Sequence, residues 1–418
     1  MAIIFNSTYL NDRLSADITS MLGCDNTLRD VRMTKGERLE IVQTSERLQE
    51  IGPAWEALWE YTGAVVFQSH AWIAAWWGAL PDRERRSLFI VLAWRGDTLE
   101  AVLPLAICRQ HGVRVLEWAA KDYSDYCDAL LQPTADPSLL ERMWDYSHAH
   151  GGFDAVYLGH LLPTAAVRTL ANDKAGYRRA LRPHYRQATS LRVVGPWASS
   201  QAWFDAQSGN ARRNYRRSLK SLSEGAKVEF RLLSPEEPIG PAVRRCADLK
   251  RAWCERNGLV APLFDEGSPM LETLAQVLAD KGLLRVFVLE RDGVIVAMTI
   301  NLMQHDTMMA YVTTYDAAFD RSSPGYILLF DYIRWSIDHG ATTIDFLCGD
   351  EDYKYRFANQ QVTLASFVAG RTLLGEAALR SDRAWHTLQT YRGRMQSGLS
   401  RAKRFLDKRP ASQAAADR

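Results

Sequence analysis

Two β-hairpin patterns that lie 196 residues apart constrain the fold of this chain more than any other feature. Leu88–Leu105 and Arg285–Asn301 each contain an apolar run, a two-residue turn and a second apolar run. The turns are Gly96-Asp97 and Asp292-Gly293, and such dipeptides between apolar runs are typical of hairpins. Both segments are therefore predicted to form antiparallel strand pairs.

The same offset relates other parts of the two segments. It pairs Ala101 with Ala297, and it brings the helix-like stretch that starts at Phe67 onto the one that starts at Leu263. Two features matched at one offset predict a duplicated domain. The chain has 418 residues, which is too long for one hydrophobic core and suits two domains.

Each copy continues with further strands and a helix in a similar order. In the first copy we expect strands at Val113–Ala120, Cys127–Leu131 and Phe153–Leu158 and a helix at Ser138–His150. In the second copy we expect strands at Thr307–Thr314, Thr342–Leu347 and Val362–Ala369 and a helix at Gly325–His339. This order predicts an α/β (α+β) chain with two tandem domains, each a mixed, mostly antiparallel sheet flanked by helices.

The expected organisation has five parts. Residues 1–38 form a polar arm, 39–195 the first domain, 196–375 the second domain, 376–408 a final helix and 409–418 a disordered tail. No apolar run approaches the ~18 residues that span a bilayer. The N-terminus lacks the basic segment of a signal peptide, so we expect a cytoplasmic protein without a transmembrane segment.

Charge is unevenly distributed along the chain. Net charge is +2, but Arg168–Arg256 contains 19 Lys/Arg against 8 Asp/Glu. A basic centre in an otherwise acidic chain indicates either a bound anion, such as a phosphate, a nucleotide or a polynucleotide, or a solvated charged linker. No Cys or His cluster has the spacing of a zinc site, so no metal is expected.

The first candidate site opens a predicted helix. The segment Asp320–Trp335 follows a strand and places Pro324 and Gly325 at the helix start. Unpaired N–H groups and the positive dipole end make a helix N-terminus suited to an anion, and Gly325 would let a phosphate approach. The alternative is an N-cap at Ser322 or Ser323 with no ligand.

The second candidate site follows the next strand. Asp345–Phe357 turns at Gly349-Asp350 and then gathers acidic, tyrosine and lysine side chains. Such a set can supply a general base, a general acid and a cation for an oxyanion. A solvated first helical turn with acids before cations gives the same pattern.

Two further segments are candidates for substrate binding. The predicted helix from Ala211 carries Arg212 and Arg213 on adjacent stripes, where a phosphate-bearing substrate, RNA or acids of the other domain would neutralise them. In the first copy, Lys121–Leu131 contains Asp125 and Tyr126, which we expect at a substrate-binding rim or, alternatively, at a solvent-facing loop.

These stretches together resemble a known family. The order of hairpin, strand, SPGY turn into a helix, DFLCG strand and YKYRF segment is similar to the GNAT-type domain of the CelD acetyltransferases of cellulose biosynthesis, which are relatives of the FemAB/FemX aminoacyltransferases. The first half resembles them in FQSHAWIAAWW and YSDYCDALL. The resemblance covers about Glu40 to Arg371.

The resemblance implies roles for particular residues. Acetyl-CoA or another acyl-CoA, the co-substrate, would place its pyrophosphate at Arg321, Ser323, Gly325 and Tyr326. Tyr353 would protonate the departing thiolate, Lys354 would stabilise the tetrahedral intermediate, and Asp350 or a water would deprotonate the acceptor.

Three functions follow as hypotheses from that resemblance. The first is an N- or O-acyltransferase that acts on a small-molecule or glycan-precursor acceptor, near machinery for cellulose or exopolysaccharide synthesis. The second is a FemAB-like aminoacyl-tRNA-dependent transferase, which the basic centre favours. The third is a non-catalytic module of a synthase complex. The CoA-binding loop of the family has two small residues, usually glycines, two positions apart. With Gly325 as one of them, the other position holds Ser323 or Ile327, and this departure favours the third hypothesis.

Overall fold

The computed structural model describes residues 36–171 and 180–406, with the side chains of the last helix described up to residue 391. The expected tail at 409–418 lies outside these residues. So does the expected arm at 1–38, except for its last three residues, two of which belong to the first strand.

The first half alternates strands and helices in the predicted order. Its strands are β1 (Glu37–Val42), β2 (Arg86–Arg95), β3 (Thr98–Gln110), β4 (Val113–Trp118), β5 (Leu130–Leu131), β6 (Ala155–Leu161), β7 (Arg182–Pro183) and β8 (Ala188–Val194). Its helices are α1 (Ser45–Glu50), α2 (Gly52–Thr62), α3 (His70–Ala79) and α4 (Leu139–His150).

The second half repeats that order. Its strands are β9 (Val228–Leu232), β10 (Leu284–Arg291), β11 (Val294–Gln304), β12 (Thr307–Tyr315), β13 (Thr343–Cys348) and β14 (Gln360–Gly370). Its helices are α5 (Ser200–Ala206), α6 (Gly209–Leu222), α7 (Ile239–Arg256), α8 (Met270–Asp280), α9 (Pro324–Asp338), α10 (Asp352–Tyr355) and α11 (Leu373–Leu406). No helix in the described ranges has both the length and the apolar character needed to cross a bilayer.

Both halves build the same sheet pattern. In the first, β1, β2, β3 and β4 are antiparallel neighbours and β6 runs parallel to β4. In the second, β9, β10, β11 and β12 are antiparallel neighbours and β13 runs parallel to β12. The predicted fold class, a mixed and mostly antiparallel sheet flanked by helices in two similar halves, is confirmed.

The two hairpins are equivalent in their irregularities. Ala93 lies opposite Ala101 and Leu289 lies opposite Ala297, and the strand register shifts directly after Ala93 in one hairpin and after Leu289 in the other. Bulges are specific local features, and these two are separated by the same 196 residues as the sequence repeat. The two halves therefore share even the position of the bulge in their hairpins.

The halves complete each other's sheets by exchanging strands. β8, from the first half, pairs with β13 of the second half, and β14, from the second half, pairs with β6 of the first. β8 and β14 also pair with each other, so one sheet runs from β1 to β9. The expected domain limits at 195 and 375 thus do not coincide with a break in the sheet.

One predicted strand is much shorter than expected. Of Cys127–Leu131 only Leu130 and Leu131 pair, with β3. The Asp128 carboxylate instead accepts the backbone N–H groups of Ala166 and Val167 at 2.7 and 3.0 Å. These bonds hold the segment against the turn that begins at Ala166. Aspartate side chains commonly bond nearby backbone N–H groups in this way in place of a β-ladder.

The largest buried cluster is shared by both halves. It contains Trp55, Trp72 and Trp76 from the first half, and Leu274 and Leu278 from α8 of the second. Helices α3 and α8, which the repeat makes equivalent, pack on each other there. Burial of such large apolar side chains stabilises the contact between the halves.

Helix α11 docks on the sheet at a very close backbone approach. A Cβ at Gly375 would overlap the carbonyl oxygen of Asp154, which precedes β6. The Asp154 carbonyl also accepts the N–H groups of Arg371 and Thr372 at 2.8 and 3.1 Å, and Glu376 pairs with Arg182 at 2.6 Å.

Replacing Gly375 with alanine should destabilise the protein by about 1–3 kcal/mol, because the helix must move away from the Asp154 carbonyl. Urea unfolding measures the change. The matched control is Gly78→Ala in α3, where an added Cβ meets no atom within 4 Å and should be neutral or slightly stabilising. Equal stability of the two variants would contradict the docking of α11 at Asp154.

Candidate active site

The sheet opens where β12 and β13 separate. These parallel strands pair only at Thr307–Met309 with Thr343–Asp345, although β12 continues to Tyr315. The backbone of the rest of β12 is therefore unpaired on its β13 side, and a cleft of about 610 Å³ lies there. Its walls come from β12, the start of α9, α6 and α10.

The start of α9 forms one end of this larger cleft. Ser323 precedes the helix in a left-handed conformation, with φ 46°, and its side chain makes no capping hydrogen bond. Of the four residues that the resemblance assigns to the co-substrate, Ser323, Gly325 and Tyr326 line the cleft, while Arg321 is exposed in the preceding turn and is not among the lining residues. An added Cβ at Gly325 would lie 3.3 Å from the Tyr315 ring.

Other side chains supply the positive charge near α9. Arg217 from α6 and Arg356 after α10 both line the larger cleft. Arg212 is half-buried and lies 3.6 Å from Asp205, and Arg213 is exposed; neither lines the cleft. The side of α6 that is buried decides which of its arginines reach the cleft. Its buried residues are Tyr215, Ser218 and Leu222, and Ser218 lines the cleft.

A buried hydroxyl inside this cleft lacks a protein partner. Thr314 is 3% exposed and lines the larger cleft, and its Oγ1 has no hydrogen-bond partner among the described residues. A buried polar atom of this kind normally has a partner, so it indicates a position that a ligand or water would complete.

A smaller cleft of about 270 Å³ adjoins the larger one and lies between the two halves. The first half contributes Asp125 and His160, and the second contributes Tyr311, Cys348 and Lys354. The two clefts share four lining residues: Lys250, Thr313, Glu351 and Tyr353. A group bound in one cleft can therefore meet a group bound in the other at this shared wall.

Tyr353 stands in the shared wall and is largely buried. Burial, followed by the negative charge of Glu351, raises the pKa of Tyr353 well above its ordinary value. Its hydroxyl thus keeps its proton through the neutral range and is available as a proton donor.

Lys354 lies in α10, and its ammonium group turns back to the end of β13. It is 4% exposed, and Nζ donates to the Cys348 carbonyl at 3.1 Å and pairs with Glu351 at 2.8 Å. Gly349, with φ 135°, passes so close that a Cβ there would collide with Lys354 and Glu351. Asp350 is exposed and lines neither cleft, whereas its neighbour Glu351 lines both.

Asp125 and Tyr126 are adjacent in sequence but face different surroundings. Asp125 lines the smaller cleft and accepts the Cys348 N–H at 3.0 Å, and burial raises the pKa of Asp125. Tyr126 is 4% exposed and donates to the Asp345 carboxylate at 2.7 Å. The same carboxylate accepts the Ser190 hydroxyl at 2.8 Å and pairs with Arg192 at 2.9 Å, so Tyr126 belongs to a buried network that joins the halves.

Sequence reasoning missed Lys250, the lysine of the shared wall. It lies on α7, four residues after the buried Cys246 and three before Trp253. The one available signal was a lysine inside the apolar stripe of an amphipathic helix, and it was not used. No group of three or more His, Cys, Asp or Glu residues in the described part of the chain could hold a metal ion.

The class of protein follows from comparison with known families. Residues 209–355, about a third of the chain, match the family model described as an acetyltransferase (GNAT) domain. The matched range runs from the start of α6 to the end of α10 and contains most of the residues of the larger cleft. Residues 209–355 therefore form a GNAT-type domain, and the chain is an acyltransferase.

Several solved structures have a similar fold at low identity. FemX has 10% identity, with 84% of this chain and 99% of FemX covered and a TM-score of 0.49. L-PGS from Bacillus licheniformis has 14% identity, 80% and 95% coverage and a TM-score of 0.48. A tandem GNAT protein from the clavulanic acid biosynthesis pathway has 10% identity, 80% and 99% coverage and a TM-score of 0.43. No curated protein matches the chain.

Tyr126→Phe should lower the free energy of unfolding by about 1.5–3 kcal/mol, because it removes a donor from the buried Asp345 carboxylate. Urea unfolding measures the loss. Tyr61→Phe, at a side chain that is 64% exposed, is the control and should change little. Unchanged stability together with a raised KM for the acceptor would instead make Tyr126 a substrate contact.

Proposed function

We propose that the protein transfers an acyl group from acyl-CoA, bound in the larger cleft, to an amine or hydroxyl acceptor bound in the smaller cleft. The observation that carries the proposal is the wall shared by the two clefts, where Tyr353 and Glu351 face both. A donor and an acceptor held on either side of that wall would meet there, and such positioning supplies a large part of catalysis.

The donor would bind with its pyrophosphate at the start of α9. The N-terminal end of α9, with the Gly325 N–H and the positive end of the helix dipole, suits an anion, and Ser323 lies beside it. Arg217 and Arg356 add positive charge from the cleft walls, and Arg321 can reach the phosphates from the rim. The unpaired edge of β12 would accompany the pantetheine arm, with Thr314 Oγ1 as a polar contact.

The chemistry is a direct transfer. The acceptor nitrogen or oxygen loses a proton, to Asp350 or a water in the scheme based on the resemblance, and attacks the thioester carbonyl. The C–S bond then breaks and the thiolate takes the proton of Tyr353. Lys354, with backbone N–H groups, would hold the oxyanion of the tetrahedral intermediate.

The acceptor would be recognised from the first half. Asp125 lines the smaller cleft and can contact an amine or hydroxyl, and Tyr126 would act from behind it. Arg212 and Arg213 would attract an anionic part of a larger acceptor. A glycan precursor, and with it the CelD-type role near cellulose or exopolysaccharide synthesis, is the acceptor class that the family resemblance suggests.

A second candidate is an aminoacyl-tRNA donor, as in the FemAB-like alternative. The exposed cations of α6, which include Arg213, Arg216 and Lys220, lie on the helix that walls the larger cleft. Such a basic surface suits a phosphate backbone, and binding through it would fall steeply with salt. Titration with acetyl-CoA and with tRNA at two salt concentrations distinguishes the donors.

Gly325→Asp should weaken acyl-CoA binding at least tenfold, because it places a carboxylate against the pyrophosphate. An acidic residue in the first turn of a helix is compatible with folding. Gly325→Ala, which adds the Cβ without the charge, is the matched control and should lose much less affinity. Isothermal titration with acetyl-CoA measures both, and equal affinity of Gly325→Asp and the wild type would exclude this turn as the phosphate site.

Lys354→Met keeps the length of the side chain and removes its charge. Because the oxyanion exists only during the reaction, we expect kcat to fall by about 10²–10³ while acyl-CoA affinity changes little. Steady-state kinetics and titration on the same variant measure the two effects.

The ion-pair partner supplies the comparison for that experiment. Glu351→Gln breaks the pair with Lys354 but keeps the ammonium group. If Lys354 acts on the oxyanion, the two variants lose similar stability but Lys354→Met loses far more turnover. Near-normal turnover of Lys354→Met with a lowered melting temperature would make Lys354 purely structural.

A further inference from the structure

We propose that Lys250 is the base that receives the acceptor's proton during acyl transfer. The inference rests on the proposed function and deepens it, because it assigns the proton to a residue that the family resemblance did not indicate. It also replaces Asp350, which is exposed and lines neither cleft.

The position of Lys250 suits a proton acceptor between donor and acceptor. It lines both clefts, next to Thr313 and Tyr353. Its Nζ donates to the Thr313 carbonyl at 3.3 Å and lies 4.4 Å from the centre of the Trp253 ring. A neutral amine can still donate one N–H to that carbonyl, and its lone pair then remains available for the acceptor's proton.

The charges around Lys250 act on its pKa in both directions, because Cys254, Cys246 and Glu351 raise it and Lys354 lowers it, with a smaller effect than burial. Glu351, the carboxylate in the same wall, forms its ion pair with Lys354, and Lys250 has no ion pair among the described residues. The titratable and charged groups that act on Lys250 most strongly are Cys246, Cys254, Glu351 and Lys354. The smaller cleft adds Lys121, Asp122, Tyr123, Asp125, His160, Tyr311, Cys348 and Tyr353, and the larger cleft adds Arg217, Tyr315, Asp320, Tyr326 and Arg356.

Burial has the largest effect on the pKa of Lys250. It lowers the pKa of Lys250 below the ordinary value, and the positive charge of Lys354 acts in the same direction. A larger fraction of Lys250 is therefore neutral near pH 7 than of an exposed lysine. A base is most effective when its pKa lies near the working pH.

The proton balance closes with two residues. The neutral Lys250 amine takes a proton from the acceptor's nitrogen or oxygen as that atom bonds to the thioester carbonyl carbon. The tetrahedral intermediate expels the CoA thiolate, which takes the phenolic proton of Tyr353. Lys250 is left as an ammonium and Tyr353 as a phenolate, and a proton passes from the first to the second across their shared wall.

The first arm of the test compares Lys250→Met, Lys250→Arg and the wild type in CoA release from acetyl-CoA, with ethanolamine as the probe acceptor, from pH 6 to 10. We expect both variants to lose about 10²-fold or more in kcat, because neither side chain can accept a proton in this range. The wild-type rate should rise with pH through an ionisation below that of ordinary lysine, and the variants should lack it. Acetyl-CoA affinity should change less than threefold.

The second arm needs no turnover. Trace acetylation of the wild type with acetic anhydride at each pH, followed by mass spectrometry of the lysine peptides, reports where each amine becomes neutral. Lys250 should become reactive at lower pH than Lys220, which is exposed on α6. Lys227→Met, at an exposed lysine that lines neither cleft, is the matched kinetic control and should keep the wild-type rate and pH profile.

The outcomes separate this inference from the proposed function. Lys250 labelling with the same pH dependence as Lys220 overturns the inference. Wild-type turnover in Lys250→Arg also overturns it, because arginine keeps the charge and cannot act as the base. Absence of acetyl-CoA binding to the wild type overturns the donor assignment, and the role of Lys250 falls with it.

Discussion

The backbone ladder that β8 and β14 form with each other and with β13 and β6 is the constraint on which the site depends. It fixes the first half against the second at the point where β13 ends. The buried Asp345 carboxylate reinforces this ladder, because it accepts hydrogen bonds from Tyr126 and Ser190 of the first half. The smaller cleft has walls from both halves for this reason.

The separation of β12 and β13 provides the other requirement. A parallel ladder of three residue pairs leaves most of β12 with an unpaired edge, and the helix that joins the two strands starts beside that edge. The start of α9, the unpaired edge of β12 and the half-buried Tyr353 thus adjoin one another. The sheet topology supplies all three.

Features coded by neighbouring residues could be predicted from the sequence. The hairpins, the start of α9 near Gly325 and the turn at Gly349 depend on dipeptides and periodicity, and the structure contains each of them. The exchange of β8 and β14 could not be predicted in this way, because their pairing partners lie far away in sequence and the strands themselves look ordinary.

The candidate site residues also divide into those marked by local sequence and those that depend on distant packing. Tyr353 and Lys354 follow a strand end that the pattern identified, so their segment was found. Which cation of α6 faces the cleft depends on the buried side of that helix, and this favours Arg217 over Arg212 and Arg213. The isolated Lys250 was missed because a single lysine in an amphipathic stripe has no local partner that marks it.

The strand exchange also has a consequence for biosynthesis. β6 gains its neighbour β14 only after roughly 200 further residues have been synthesised. While the ribosome makes the second half, the first half presents an open strand edge, the type of surface that chaperones protect and that recruits other strands in aggregation. The order of translation therefore makes the first half depend on a strand that is synthesised long after it.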